Sequence, residues 1–90
     1  MKTESQWDSL KWKSRRGMKE LDLMLEPYVN EYLPKTSDQE FDEYNSFLDC
    51  TDLELVRYLL RRQKPVDPLI IKVVDSIIAY HEKLLKGNVD

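Results

Sequence analysis

Residues 67 to 86 read Asp67-Pro-Leu-Ile-Ile-Lys-Val-Val-Asp-Ser-Ile-Ile-Ala-Tyr-His-Glu-Lys-Leu-Leu-Lys86, and this stretch decides the fold. Asp67 before Pro68 is a helix start, since an Asp side chain can cap free backbone N–H groups and a first-turn proline gives up a hydrogen bond the helix would not make. Ile70, Val73, Val74, Ile77, Ile78 and Leu85 then recur at three- and four-residue steps, the period of an amphipathic helix. No other segment commits so much apolar surface, so this helix is expected to be the central core element.

Working back from it, Lys64-Pro65 stops a preceding helix that opens at Thr51-Asp52-Leu53-Glu54 and turns Leu55, Val56, Leu59 and Leu60 to its apolar side. Thr51 with Glu54, and Ser37 with Glu40 before it, have the capping-box form, in which a hydroxyl and a carboxylate reciprocally satisfy backbone N–H groups. The helix from Ser37 is expected to end near Cys50 and to carry Phe41, Tyr44 and Leu48 inward. Upstream, Met18, Leu21, Leu25, Tyr28 and Tyr32 share a face. Pro27 predicts a bend or early break there, and Pro34 its close. A first helix over Glu4 to Ser14 places Trp7 and Leu10 together and Trp12 off their stripe. The fold class is all-α: a compact five-helix bundle in a single domain over residues 1–90, monomeric, with Leu21, Leu25, Phe41, Leu48, Leu59, Ile70, Val74 and Ile77 in its core.

The 90-residue length leaves no room for a second core, and a chain this size buries only about 60% of its unfolded surface. A deep enclosed active site is not expected. One cysteine, Cys50, and one histidine, His81, cannot make an internal disulfide or a four-ligand Cys/His zinc site, so no metal is expected. Cys50 with His81 is open as a nucleophile pair, although a lone cysteine at a helix end is usually a small inert hydrophobe. The longest apolar runs fall far short of the ~20 residues of a membrane span. The N-terminal sequence resembles neither a secretory signal nor a transit peptide, so a cytoplasmic location is expected.

Charge is uneven. Residues 1 to 20 carry six Lys/Arg and three Asp/Glu, residues 21 to 56 one and ten, and residues 57 to 90 seven and four. An acidic middle between basic ends does not give the continuous basic footprint of a nucleic-acid binder, and a protein partner fits better. Arg57, Arg61 and Arg62 keep a helical nucleic-acid-binding or antitoxin-type regulator as the alternative. With Gly17 and Gly87 the only glycines, the chain has no phosphate-cradling loop and is not expected to bind FAD or another dinucleotide tightly by itself.

Gly17 lies between two expected helices, where a residue without Cβ can take φ > 0 or let another surface approach the backbone. If the chain turns there, Arg16 and Glu20 can project from one corner as a donor fork and an acceptor. An ordinary glycine C-cap, with Glu20 stabilising the N-terminus of the next helix, is the alternative reading that physics alone favours. On either reading, Arg16→Ala and Glu20→Ala are expected to leave stability nearly unchanged.

Arg15-Arg16-Gly17-Met18-Lys19-Glu20-Leu21-Asp22 resembles the RGxxE signature of the succinate dehydrogenase FAD assembly factors. Asp49-Cys50-Thr51-Asp52, the Leu55 to Leu60 helix and Lys64-Pro65-Val66-Asp67 follow that family in order and spacing, so the resemblance covers about residues 7 to 80. Tyr58 and Gln63 depart from it, standing where tryptophan and glycine are often found. The resemblance implies a bacterial assembly chaperone, itself no enzyme, that binds the flavoprotein subunit of succinate dehydrogenase or fumarate reductase. It implies help in attaching FAD covalently to that partner, with Arg15, Arg16, Gly17, Met18, Glu20 and Asp22 as the partner-binding residues.

Overall fold

The computed structural model describes residues 1–87; residues 88–90, included in the single-domain expectation, lie outside the described residues. Five α-helices run in order among the described residues: α1 Glu4–Ser14, α2 Lys19–Pro27, α3 Asp38–Phe47, α4 Asp52–Leu59 and α5 Pro68–Gly87. α5 packs against α2, α3 and α4, which makes it the central element the sequence predicts. Its Asp67 carboxylate accepts the Leu69 N–H at 2.9 Å, satisfying a donor at the helix start. Val73, Val74, Ile77 and Ile78 are buried.

Two members of the predicted stripe differ. Ile70 is half-buried at the first turn of α5, and Leu85 is exposed. Ile70 still packs against the core from the edge, whereas the 20 residues of α5 span about 30 Å, longer than its partners, so its last turns, with Leu85, run past them. The other predicted core residues are buried, joined by Leu10, Met24, Tyr28, Val29, Leu33, Tyr44, Phe47 and Leu55.

Pro27 does not break the chain's helical path. It sits inside α2, and the backbone widens into a π-helical turn over Tyr28–Tyr32 and then tightens into a 3-10 turn over Leu33–Lys35. A proline cannot donate to the carbonyl four residues back, and a wider turn absorbs that missing bond without reversing the chain. Burial of Tyr28, Val29 and Leu33 along this extension favours continuation over a break.

Capping follows the sequence with one exception and one addition. Thr51 and Glu54 make both bonds of a capping box, at 2.9 and 3.2 Å. At Ser37 the hydroxyl accepts the Glu40 N–H, but the reciprocal carboxylate bond is not among the described contacts. Thr3 and Gln6 complete a further box that starts α1.

Two residues past the end of α4 stands Arg61, a non-glycine residue at φ 56°. The Arg62 N–H donates back to the Arg57 carbonyl at 2.8 Å, so the turn closes like a Schellman cap with an arginine where glycine is most at ease. Its guanidinium lies 3.8 Å from Asp75, both side chains exposed, which contributes little. Arg61→Gly is therefore expected to raise stability by about 0.5 to 1 kcal/mol in urea unfolding, by removing left-handed strain. A loss of stability would mean the Asp75 contact outweighs the backbone.

A tyrosine cluster joins α3, α5 and the π turn. Tyr28 stacks on Tyr32 at 4.9 Å and lies 5.4 Å from Tyr44, while Tyr80 lies 5.3 Å from Tyr32. The Tyr28 hydroxyl shares a 2.9 Å hydrogen bond with Ser76, and that of Tyr44 shares one of 2.9 Å with buried Ser14. Burial pushes the Tyr28 hydroxyl up to about 12 and that of Tyr44 upward as well. The folded state thus binds these protons more tightly than the unfolded chain, whose tyrosines ionise near pH ~10. Their contribution is complete below that pH and is lost as pH rises towards the folded values, so stability should fall progressively above pH ~10. Tyr28→Phe should flatten this alkaline limb in urea melts taken across that range.

Candidate functional site

The corner between α1 and α2 is built by a few specific contacts. α1 stops at Ser14, Arg15 takes an extended backbone, and Gly17 reverses the chain at φ 71°. Met18 is the N-cap of α2 but has no side-chain cap; instead the Asp22 carboxylate reaches back and accepts the Arg16 N–H at 3.3 Å. No heavy atom outside its immediate chain neighbours lies within 4 Å of where a Gly17 side chain would begin. The glycine is required by its backbone angle and not by crowding, and its backbone faces open space.

Arg16 does not project outward as the sequence suggests. Its guanidinium side chain is only 16% exposed and turns inward onto the α3–α4 junction. Nε donates to the Lys13 carbonyl at 3.0 Å, Nη1 donates to the Cys50 carbonyl at 3.3 Å and to Asp52 Oδ1 at 3.2 Å, and Nη2 donates to the Leu48 carbonyl. Leu48 is the C-cap of α3 and Asp52 is the first residue of α4. The last carbonyls of a helix lack intrahelical partners and carry the negative end of its dipole, so a planar cation with five donors is the side chain best suited to close that end. Lys13 adds a second tie from α1, donating to Asn45 at 2.9 Å and lying 3.5 Å from Asp49. The corner is thereby fixed to the end of α3 and the start of α4. Leu48, Cys50 and Asp52 as its anchors could not be read from the sequence, where only the Asp49-Cys50-Thr51-Asp52 segment drew notice.

Of the six predicted partner-binding residues, Arg15, Gly17 and Glu20 are exposed. Met18 is half-buried against the core, and Arg16 and Asp22 are half-buried and committed to the turn itself. The structure therefore separates the motif's two charged ends: the cation holds the corner in shape and the Glu20 carboxylate faces solvent. Lys19 is exposed beside it.

The remaining candidates carry less chemistry. Cys50 is half-buried, and burial pushes its thiol pKa up, with Glu54 and Asp49 adding to the effect. A nucleophilic cysteine needs the opposite environment, one that favours thiolate. His81 is half-buried on α5. Arg57, Arg61 and Arg62 are exposed around the end of α4. Among the described residues, no three His, Cys, Asp or Glu side chains are grouped to hold a metal, and no helix is long and apolar enough to cross a membrane. Surface depressions of about 430, 510 and 190 Å³ lie elsewhere, the largest beside Tyr32, Lys35, Tyr80 and Lys83.

Comparison with known proteins gives this corner a context. The sequence model of a protein family described as the flavinator of succinate dehydrogenase matches residues 8–81. A protein named FAD assembly factor SdhE from Pseudomonas savastanoi pv. phaseolicola is 36% identical over 69 residues, covering 77% of this chain and 82% of that one. Proteins of the same name from Pseudomonas aeruginosa and Vibrio vulnificus are 32% and 31% identical, covering 87% and 90% of this chain and 93% and 94% of theirs.

Proposed function

This chain belongs to the family described as the flavinator of succinate dehydrogenase, and from that membership we propose that it binds the flavoprotein subunit of succinate dehydrogenase and promotes covalent attachment of FAD to it. Fumarate reductase, a related target implied by the sequence resemblance, belongs to the same proposal. The chain is an assembly factor and not the catalyst.

The observation that carries the site is the corner itself: an outward glycine backbone and an outward Glu20, held on a frame that Arg16 and Asp22 lock from within. Forming a flavin–protein bond requires a partner side chain held against the flavin ring and charge on that ring stabilised, which are matters of positioning and preorganised electrostatics. A small rigid protein supplies this by binding most tightly to the flavoprotein conformation competent for attachment. Its effect is then limited to the difference in its affinity for the two conformations. A rigid corner suits that role, because a surface that deformed to fit either conformation would select neither.

The test is co-production of the apo-flavoprotein with and without this chain, followed by flavin fluorescence of the denatured flavoprotein band. The proposal expects covalent flavin to depend on the chain; equal yields without it would remove the function. On the same reading the chain by itself is not a flavin carrier. Titration with free FAD should show no saturation in the submicromolar range, and a dissociation constant below ~1 μM, about −8 kcal/mol, would contradict this.

A further inference from the structure

Trp12 sits on the outer face of α1 with 76% of its surface exposed. The core side of this helix is already filled: Leu10 and Ser14 are buried and Trp7 packs edge-on against Phe41 at 4.8 Å. The fold therefore makes little use of the Trp12 ring. Its position relative to the corner is fixed, because the Arg15 N–H donates to the Trp12 carbonyl at 3.2 Å and the next carbonyl along, that of Lys13, accepts from Arg16.

The charges around it are equally selective. Of the basic residues in positions 1 to 20, Lys2, Lys13 and Arg16 are engaged in ion pairs. Lys11, Arg15 and Lys19 are exposed and take part in none of the ion pairs among the described residues. Lys11 and Arg15 are four apart and Trp12 and Arg15 three apart, so these three side chains leave one side of the end of α1. Asp8, one turn back, is exposed and pairs with none of them. Across the turn, Leu23 on α2 is 60% exposed and lies four residues beyond Lys19. Large aromatic side chains next to arginine are the residues on which protein interfaces concentrate their binding energy, and unpaired cations steer an anionic partner.

We infer that Trp12, flanked on α1 by the exposed cations Lys11 and Arg15 and with exposed Lys19 adding positive charge across the turn, anchors the docking of the flavoprotein and fits an apolar socket edged by carboxylates on that partner. The inference rests on the proposed function and extends its contact surface from the Gly17 corner back along α1. The cations define the partner's rim: an acidic one is attracted and a basic one repelled.

The experiment compares purified wild-type chain, Trp12→Ser and the triple variant Lys11→Gln/Arg15→Gln/Lys19→Gln for binding to purified apo-flavoprotein by calorimetry. All three should share one thermal midpoint, since the altered side chains are exposed. Trp12→Ser is expected to bind about tenfold or more weakly. Wild-type binding should weaken as NaCl rises from about 0.05 to 0.3 M, and the triple variant should lose most of that dependence. Wild-type binding with an unchanged affinity for Trp12→Ser would overturn the inference while leaving the proposed function intact. Absence of wild-type binding would overturn both. A wild-type chain that self-associates in sedimentation, with Trp12→Ser monomeric, would make a second copy the occupant and overturn the flavoprotein assignment.

Discussion

Arg16→Ala lowers the thermal midpoint by about 10 to 20 °C, the equivalent of roughly 2 to 3 kcal/mol in a domain of this size. The loss follows from where the guanidinium goes. It donates to three backbone carbonyls and to the Asp52 carboxylate from a position that is mostly enclosed. Alanine leaves the C-terminal carbonyls of α3 without their donor and Asp52 without its cation, and a half-buried group stripped of its partner costs more than the bond was worth. Arg16→Lys is the informative companion. A single ammonium keeps the charge near Asp52 but cannot span Leu48, Cys50 and Lys13 at once, so it should recover less than about half of the lost stability. If both variants melt with the wild type, the inward orientation of Arg16 is wrong and the outward fork suggested by the sequence is restored.

The second large effect concerns Gly17 and separates backbone cost from obstruction. Gly17→Ala and Gly17→Arg both force a residue with a Cβ to φ 71°, a cost of about 1 to 2 kcal/mol that a domain of ordinary stability survives. No neighbour crowds the Cβ position, so the backbone angle is the cost the two variants share. Their thermal midpoints should therefore fall together. Binding to the flavoprotein should not: on the proposed docking surface alanine should be tolerated nearly as well as its stability allows, whereas a long arginine side chain would stand where the partner is proposed to approach and should weaken binding by about 3 kcal/mol or more, over a hundredfold. Equal binding by the two variants, measured on the folded fraction, would show that the glycine serves only the turn.

What the sequence revealed and what it concealed divide along the range of the interactions. The start of α5 at Asp67-Pro68, the Thr51-Glu54 box and the left-handed Gly17 depend on residues a few positions apart, and each was legible. Trp12 off the apolar stripe was legible for the same reason. The inward turn of Arg16 was not, because it is decided by carbonyls more than thirty positions away, and a flexible cation between two helices is equally able to reach solvent. Pro27 shows a local rule overruled: the missing hydrogen bond is real, but burial of Tyr28, Val29 and Leu33 keeps the chain helical around it. The tyrosine cluster joins residues from three elements and left only scattered aromatic positions as a trace.

Glu20 isolates the central claim, since it is exposed and its only described role in the fold is as a first-turn carboxylate of α2, a small effect at a solvent-exposed position. In a purified mixture of apo-flavoprotein and FAD, the initial rate of covalent flavin formation should rise with added wild-type chain. Glu20→Ala, with a nearly unchanged thermal midpoint, should need about 5- to 150-fold more chain for the same rate, because the proposed docking surface would then lack one charge-assisted hydrogen bond to the partner. A folded Glu20→Ala chain that supports flavin attachment at the wild-type concentration would contradict the assignment of this corner to the partner.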